Sequence, residues 1–101
     1  MSKKLPPLHP GEVLREEFLI PMGISAGKLA EICGVPRTRI ERVVAEETGV
    51  SADTALRLSR ALGTSAQLWL NLQNEFDIRT ATRASAKEFE KIQPIGANTA
   101  A

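Results

Sequence analysis

The chain has 101 residues and a net charge of +1, with 43% hydrophobic and 25% charged residues. These proportions are typical of one ordinary globular domain, and the single cysteine excludes an internal disulfide framework. Because the net charge is close to zero, any binding of nucleic acid must depend on a local basic patch. No apolar run reaches the roughly 18 residues of a membrane span, and no signal-peptide pattern opens the chain, so we expect a cytoplasmic protein without a membrane partner.

The first part of the chain predicts a short arm followed by a helix. Residues 1–8 contain two lysines and two prolines and are expected to form a flexible, extended arm. The helix that follows is predicted to end near Pro21 and Gly23. Its apolar positions are Val13, Leu14 and Phe18. His9, the only histidine, has no second His or Cys nearby, so we predict that it fixes the start of this helix and that no metal is bound.

Residues 25–46, SAGKLAEICGVPRTRIERVVAE, predict two short helices joined by a tight turn. Gly34 directly follows the first of them, where a residue with positive φ usually ends a helix, and Pro36 suits the first position of the second. Ala30 is small enough to let the two helices cross closely. Cys33 falls on an apolar face, which predicts a buried structural thiol rather than a nucleophile. The pattern is that of a helix-turn-helix, whose second helix enters a DNA major groove.

Basic residues occupy the exposed side of that second helix, while Ile40 and Val43 point to the core. Arginine makes bidentate contacts to guanine and also holds phosphates. The alternative interpretation is that these basic residues form a solvated cationic face on an ordinary helical hairpin. The glycine turn, the small Ala30 and the exposed arginines together favour contact with DNA. The predicted basic patch consists of Lys28, Arg37, Arg39 and Arg42.

Two further helices are predicted downstream, capped by Ser51 and Ser65. In the second of these, one apolar stripe is expected to face the core, with Trp69 as an anchor. The stripe consists of Leu68, Trp69, Leu72 and Phe76. Leu70 and Ile78 fall on a different side, which suggests burial against something beyond the helix's own core. A short separate helix is predicted around residues 85–92, followed by a frayed tail.

The prediction is thus an all-α protein with five helices and a C-terminal extension. We divide it into an arm at 1–8, a helix-turn-helix domain at 9–80 and an extension at 81–101. No glycine-rich phosphate loop, HExxH or CxxC pattern is present, and the two adjacent glutamate pairs point in different directions. We therefore predict neither enzymatic activity nor a cofactor.

The sequence resembles the HigA-type antitoxins, a branch of the Xre/Cro-like helix-turn-helix proteins. The matching segments are HPGEVLREEFL at 9–19, LAEICGVPRTRI at 29–40, DTALRLSRALGTS at 53–65 and LWLNLQNEFDI at 68–78. The resemblance implies a lambda-repressor-like domain of five helices and a homodimer on an operator with an inverted repeat. It also implies a partner toxin that cleaves mRNA on the ribosome.

Carried over by position, the resemblance implies one set of residues that face DNA. They are Ser25, Lys28, Arg37, Thr38, Arg39 and Arg42. The sequence departs from the family pattern at Ala26, where glutamine is common, and at Glu46 and Glu47, where the loop usually carries glycine and a basic residue. Two carboxylates near phosphates weaken binding unless the loop turns away from DNA.

Two protein-binding surfaces are also predicted. The dimer interface is expected to involve Leu70, Ile78, Phe89 and Ile92. The acidic residues Glu12, Glu16 and Glu17 are candidates for contacting a basic toxin, although a simple solvated face explains them as well. Two other functions stay open from the sequence: a free-standing regulator without a toxin, and a protein-interaction module that has lost DNA binding.

Overall fold

The computed structural model of the protein describes residues 6–96, and between these limits the chain forms five helices and no strand. The predicted all-α class is therefore confirmed for this part of the chain. The lysines of the predicted N-terminal arm and residues 97–101 of the predicted tail lie outside the described residues. Within residues 6–96, every helix is too short or too polar to span a bilayer.

The first helix, α1, consists of three consecutive segments: Pro10–Val13, Leu14–Leu19 and Ile20–Met22. The middle segment is π-helical, with Ile20 N–H donating to the carbonyl of Arg15. Hydrogen bonds from i+5 to i bring residues five apart onto one face, so Leu14 and Leu19 are both buried. An α-helical spacing does not predict this pairing, which is why Leu19 was missing from the expected apolar side.

His9 begins α1, as predicted. Its Nδ1 accepts a hydrogen bond of 2.8 Å from Gly11 N–H, and its ring lies edge-on against Phe76 with 4.8 Å between centroids. Gly11 passes so close to the second helix of the helix-turn-helix that a Cβ atom there would lie 1.8 Å from the carbonyl oxygen of Val43. The start of α1 is thereby packed backbone-to-backbone against the end of that helix.

The helix-turn-helix consists of α2, Ala26–Cys33, and α3, Arg37–Val44. Gly34 ends α2 with φ of +73°, as predicted, whereas Pro36 is the N-cap of α3 and not its first residue. Ala30 on α2 is fully buried. Cys33 is buried as well, and burial raises the pKa of its thiol, as expected of a structural cysteine.

Helices α4, Ala52–Leu62, and α5, Ala66–Glu90, begin at the predicted caps Ser51 and Ser65. The Oγ atoms of these serines accept hydrogen bonds from Thr54 N–H and Leu68 N–H. The predicted separate helix at 85–92 is instead the last part of α5, in which Ser85 alone has non-helical backbone angles. Residues 79–84, RTATRA, contain neither glycine nor proline, so nothing ends the helix before the kink.

Trp69 is the largest side chain that is fully buried, which confirms its predicted role as a core anchor. Its Nε1 donates to Thr64 Oγ1 at 2.7 Å, and its ring packs against Phe18. The predicted stripe is wrong at Leu68, which is exposed, while Leu70 is half-buried against the core in its place. The outward apolar side of α5 therefore includes Ile78 but shares Leu70 with the core.

Candidate nucleic-acid interface

The outer face of α3 carries polar and basic side chains on an apolar base. Ile40 and Val43 are almost completely buried beneath it, as predicted. The exposed side chains on α3 include the predicted Arg37, Thr38, Arg39 and Arg42, and also Glu41, whose carboxylate lies 3.9 Å from Arg37 Nε. The helix is therefore fixed to the domain along one side and presents its cations along the other.

The structure brings Arg37 next to the start of α2. A Cβ atom on Gly27 would lie 2.9 Å from Arg37 Nε, so the missing side chain of Gly27 leaves the space that Arg37 occupies. Ser25 is the N-cap of α2 and accepts a hydrogen bond from Lys28 N–H at 3.0 Å. Lys28 itself is exposed and lies 3.6 Å from Glu31. The start of α2 and the exposed side of α3, whose cations the sequence predicted as one basic patch, are therefore adjacent through Gly27 and Arg37.

A cleft of about 610 Å³ lies between α3 and the first turns of α4. Among residues 6–96, three arginines and one carboxylate line it, together with hydroxyl groups from the loop and from α4. Its lining residues include Thr38, Arg39, Arg42, Thr48, Ser51, Asp53 and Arg57. The contributions of Thr48, Ser51, Asp53 and Arg57 to this cleft were not predicted from the sequence. The spacing of Asp53 and Arg57 by four residues on one helix was the available signal.

A chain of polar contacts crosses this cleft. Asp53 Oδ2 accepts hydrogen bonds from Arg39 Nη1 and, at 2.8 Å, from Arg57 Nε. Arg57 Nη1 in turn donates a hydrogen bond of 2.8 Å to the carbonyl oxygen of Cys33, the last residue of α2. The hydrogen bonds from Arg39 and Arg57 lower the pKa of Asp53, so its carboxylate stays ionised.

Comparison with known proteins assigns the family. The helix-turn-helix family model matches residues 14–69. The antitoxin HigA-1 of Vibrio cholerae is 36% identical over 88% of this chain and 84% of its own length. The chain belongs to the HigA-type branch of the helix-turn-helix family. The virulence-associated protein I of Dichelobacter nodosus is 51% identical over 79% of this chain and 74% of its own.

A solved structure supports the same assignment. The Pseudomonas aeruginosa antitoxin HigA, determined with the higBA promoter, superposes on this chain with a TM-score of 0.85. The two are 44% identical over 88% of this chain and 98% of that one.

The loop after α3 shows how this HigA-type chain accommodates its two unusual glutamates. Glu46 has a φ of +64°, a conformation that glycine adopts most easily, and its carboxylate lies 3.3 Å from Arg15 Nη2. Arg15 Nη1 also donates to the carbonyl oxygen of Val44 at 2.7 Å. Glu46 is therefore directed to α1 and helps to hold the end of α3. Glu47 lies 3.8 Å from Arg42 and offsets part of its charge.

The loop before α4 is fastened from the other side by α5. Gln73 Oε1 accepts a hydrogen bond of 2.7 Å from Val50 N–H, and Gln73 Nε2 donates to Asp77. A Cβ atom on Gly49 would lie only 2.7 Å from the Gln73 side chain. The glutamine of the family segment WLNLQ thus positions one wall of the cleft.

The remaining predicted site residues lie away from the face of α3. Glu12, Glu16 and Glu17 are exposed on α1, and the Glu16 carboxylate forms an ion pair with Arg15 Nε at 3.0 Å. Ile78 is 62% exposed on α5. Phe89 and Ile92, at the end of α5 and just beyond it, are exposed as well. Among residues 6–96, no three His, Cys, Asp or Glu side chains lie close enough together to hold a metal ion.

Proposed function

We propose that this protein is the antitoxin of a type II toxin–antitoxin pair, that it represses its own operon as a homodimer on an inverted-repeat operator, and that it neutralises an mRNA-cleaving toxin. The observation that carries the DNA-binding part is the exposed row of arginines on α3, fixed to the domain through buried Ile40 and Val43. We further propose that it acts in the cytoplasm, where operator DNA is found, and by binding rather than by catalysis.

On DNA, α3 would enter the major groove and α2 would cross the phosphate backbone. Arg37, Arg39 and Arg42 have the length and the donor geometry to reach guanine O6 and N7. Ser25 and Lys28, at the start of α2, would contact phosphate through backbone N–H groups and the ammonium group. Thr38 would contact a base edge or a nearby phosphate from the first turn of α3.

Operator binding is expected to depend steeply on salt. Phosphate contacts release counterions, so the affinity for a promoter fragment should fall linearly on a log–log plot against salt concentration. Fluorescence anisotropy on a labelled fragment of the protein's own promoter measures this slope. We expect Lys28→Ala to weaken binding to promoter DNA and to scrambled DNA to a similar extent, and to reduce the slope of the salt dependence by about one. Equal affinity of the wild-type protein for both DNA sequences would contradict operator recognition.

The dimer is proposed to form through the outward side of α5. One helix-turn-helix offers few contacts, and two half-sites on the same face of DNA require centres about 34 Å apart. Ile78, Phe89 and Ile92 supply exposed apolar surface on α5 and just beyond its end. An isologous contact would place this surface on the two-fold axis.

The toxin is proposed to bind α1, on the surface formed by Glu12, Glu16 and Glu17. A basic nuclease is attracted to carboxylates, and these side chains are exposed on a different helix from the arginines of α3. One chain can thereby hold DNA and toxin on separate surfaces. The neighbouring gene decides between this role and a free-standing regulator, because only an antitoxin should co-purify with its product.

The charge reversal Glu16→Lys with Glu17→Lys tests the toxin surface. In cells that express the toxin, we expect the reversed protein to rescue growth poorly and to lose co-purification, because two attractive carboxylates become repulsive. Promoter affinity should stay within about twofold, since surface changes away from a site have small effects. The control reverses Glu88 and Glu90, at the far end of α5; because Phe89 of the proposed dimer interface lies between them, light scattering must first show that this variant is still a dimer. Full rescue by the α1 variant, or loss of rescue only in the control, would place the toxin elsewhere.

A further inference from the structure

The contact between Arg39 and Asp53 joins the candidate reading helix to α4. Arg39 lies in the first turn of α3 and Asp53 in the first turn of α4, fourteen residues later. The helix-turn-helix itself ends before Asp53, so the carboxylate belongs to the framework rather than to the reading helix. The Asp53 carboxylate binds the guanidinium groups of Arg39 and Arg57.

Asp53 is itself held in place. Arg57 Nε binds the same oxygen, Oδ2, that Arg39 binds, and Arg57 Nη1 is anchored 2.8 Å from the carbonyl oxygen of Cys33 at the end of α2. Arg57 is only partly exposed. The orientation of Arg39 therefore follows from three successive contacts, Arg39 to Asp53, Asp53 to Arg57 and Arg57 to the backbone of α2. A surface arginine without such support samples many rotamers and loses that freedom on binding.

The geometry leaves Arg39 with donors to spare. Asp53 is bound through Nη1, and a guanidinium carries further N–H groups on Nε and Nη2. The edge formed by Nε and Nη2 is a two-donor fork of the kind that matches O6 and N7 of guanine. Arg39 can therefore bind the Asp53 carboxylate through Nη1 and a guanine base through Nε and Nη2 at the same time.

The charge of Asp53 has the opposite effect on phosphates. The lining of the cleft includes Arg39, Arg42 and Arg57 together with the carboxylate of Asp53, while Glu47 lies 3.8 Å from Arg42. A negative charge there repels any phosphate that approaches the cleft, whatever the DNA sequence. Asp53 is therefore unfavourable for general affinity and favourable for the orientation of one arginine.

We propose that Asp53 is a positioning residue for sequence discrimination, which holds Arg39 ready to read one base pair and lowers binding to unrelated DNA. This inference rests on the proposed function, since it concerns how the operator is distinguished from other DNA. Asp53 contacts no DNA in this arrangement and acts through Arg39.

The test measures affinity and discrimination separately for Asp53→Asn, with wild-type protein and Arg39→Ala. A panel of promoter fragments, each with one base pair replaced, first identifies the position at which Arg39→Ala no longer discriminates. At that position we expect Asp53→Asn to lose about two- to tenfold of the wild-type discrimination, and to keep it elsewhere. Scrambled DNA should bind Asp53→Asn more tightly than it binds the wild-type protein.

Matched controls separate positioning from general charge and from folding. Glu75→Gln removes one exposed carboxylate from α5 and should leave the discrimination profile unchanged. Thermal unfolding reports whether Asp53→Asn is folded, and a change in stability alone does not alter discrimination at a single base pair. The double variant Asp53→Asn with Arg39→Ala should discriminate at that position no worse than Arg39→Ala alone, because both changes act on one contact.

Three results would overturn the inference while leaving the proposed function in place. They are an unchanged profile in Asp53→Asn, a loss spread evenly over all positions, and tighter promoter binding with undiminished discrimination. The last of these would mean that Asp53 masks Arg39 and is released on binding. If the wild-type protein does not prefer its promoter to scrambled DNA, the proposed function itself fails.

Discussion

Replacing Ile78 with aspartate is expected to convert the protein from a dimer into a monomer with a mass of 11.0 kDa. Ile78 is 62% exposed, so the substitution leaves the core of the protomer intact while placing a charge in the proposed interface. The loss of the dimer should weaken operator binding by about a hundredfold or more, because the second half-site is no longer bound at a high effective concentration. Light scattering at micromolar concentration and promoter titration measure the two effects.

Ile20→Asp is the matched control for this change. Ile20 is also 62% exposed, but it lies on α1 rather than α5. We expect that variant to remain a dimer and to bind the promoter normally. Leu70→Asp is a poor test, because Leu70 packs against the core and its replacement destabilises the protomer. A wild-type protein that is monomeric at these concentrations, or an Ile78→Asp protein that is still a dimer, would contradict an interface on α5.

Arg39→Ala is expected to weaken promoter binding by about 1–3 kcal/mol per half-site, the value of one good bidentate contact to a base. Arg37→Ala is expected to have an effect in the same range if Arg37 also reads a base. In both variants the loss of affinity should be larger for the promoter than for scrambled DNA, since a contact that specifies sequence contributes little to general binding. Parallel titrations at one salt concentration provide the comparison.

Arg60→Ala controls for the loss of one positive charge. Arg60 lies in the last turn of α4, whereas the cleft beside α3 is lined by residues at the start of that helix. Its replacement should lower affinity slightly and equally for both DNA sequences. If Arg37→Ala and Arg39→Ala bind the promoter as the wild-type protein does, α3 is not the helix that reads the operator.

Local signals in the sequence predicted the helix ends well. Ser51 and Ser65 as caps and Gly34 as a terminator act through residues within a few positions of themselves, so their roles can be recognised without the fold. His9 was placed correctly for the same reason. The burial of Ile40 and Val43 beneath exposed arginines followed from helical periodicity alone.

What the sequence did not reveal depends on contacts between distant residues. The π-helical hydrogen bonds in α1 place Leu14 and Leu19 on one face, and an analysis based on 3.6 residues per turn does not find that pairing. The bond from Arg39 to Asp53 and the bond from Val50 to Gln73 join different helices and loops. Glu46 was counted against DNA binding, but Arg15, thirty-one residues earlier, holds it near the end of α3.

The proposed function requires a dimer that places α3 of each protomer in the major groove of an operator half-site. Methylation interference on the protein's own promoter tests it most directly, because guanine is methylated at N7 in the major groove and adenine at N3 in the minor groove. We expect interference from guanines in two clusters, separated by one helical turn of about 34 Å or a multiple of it. Interference confined to adenines, or absent at every guanine of a promoter that the protein binds, would contradict the placement of α3 in the major groove.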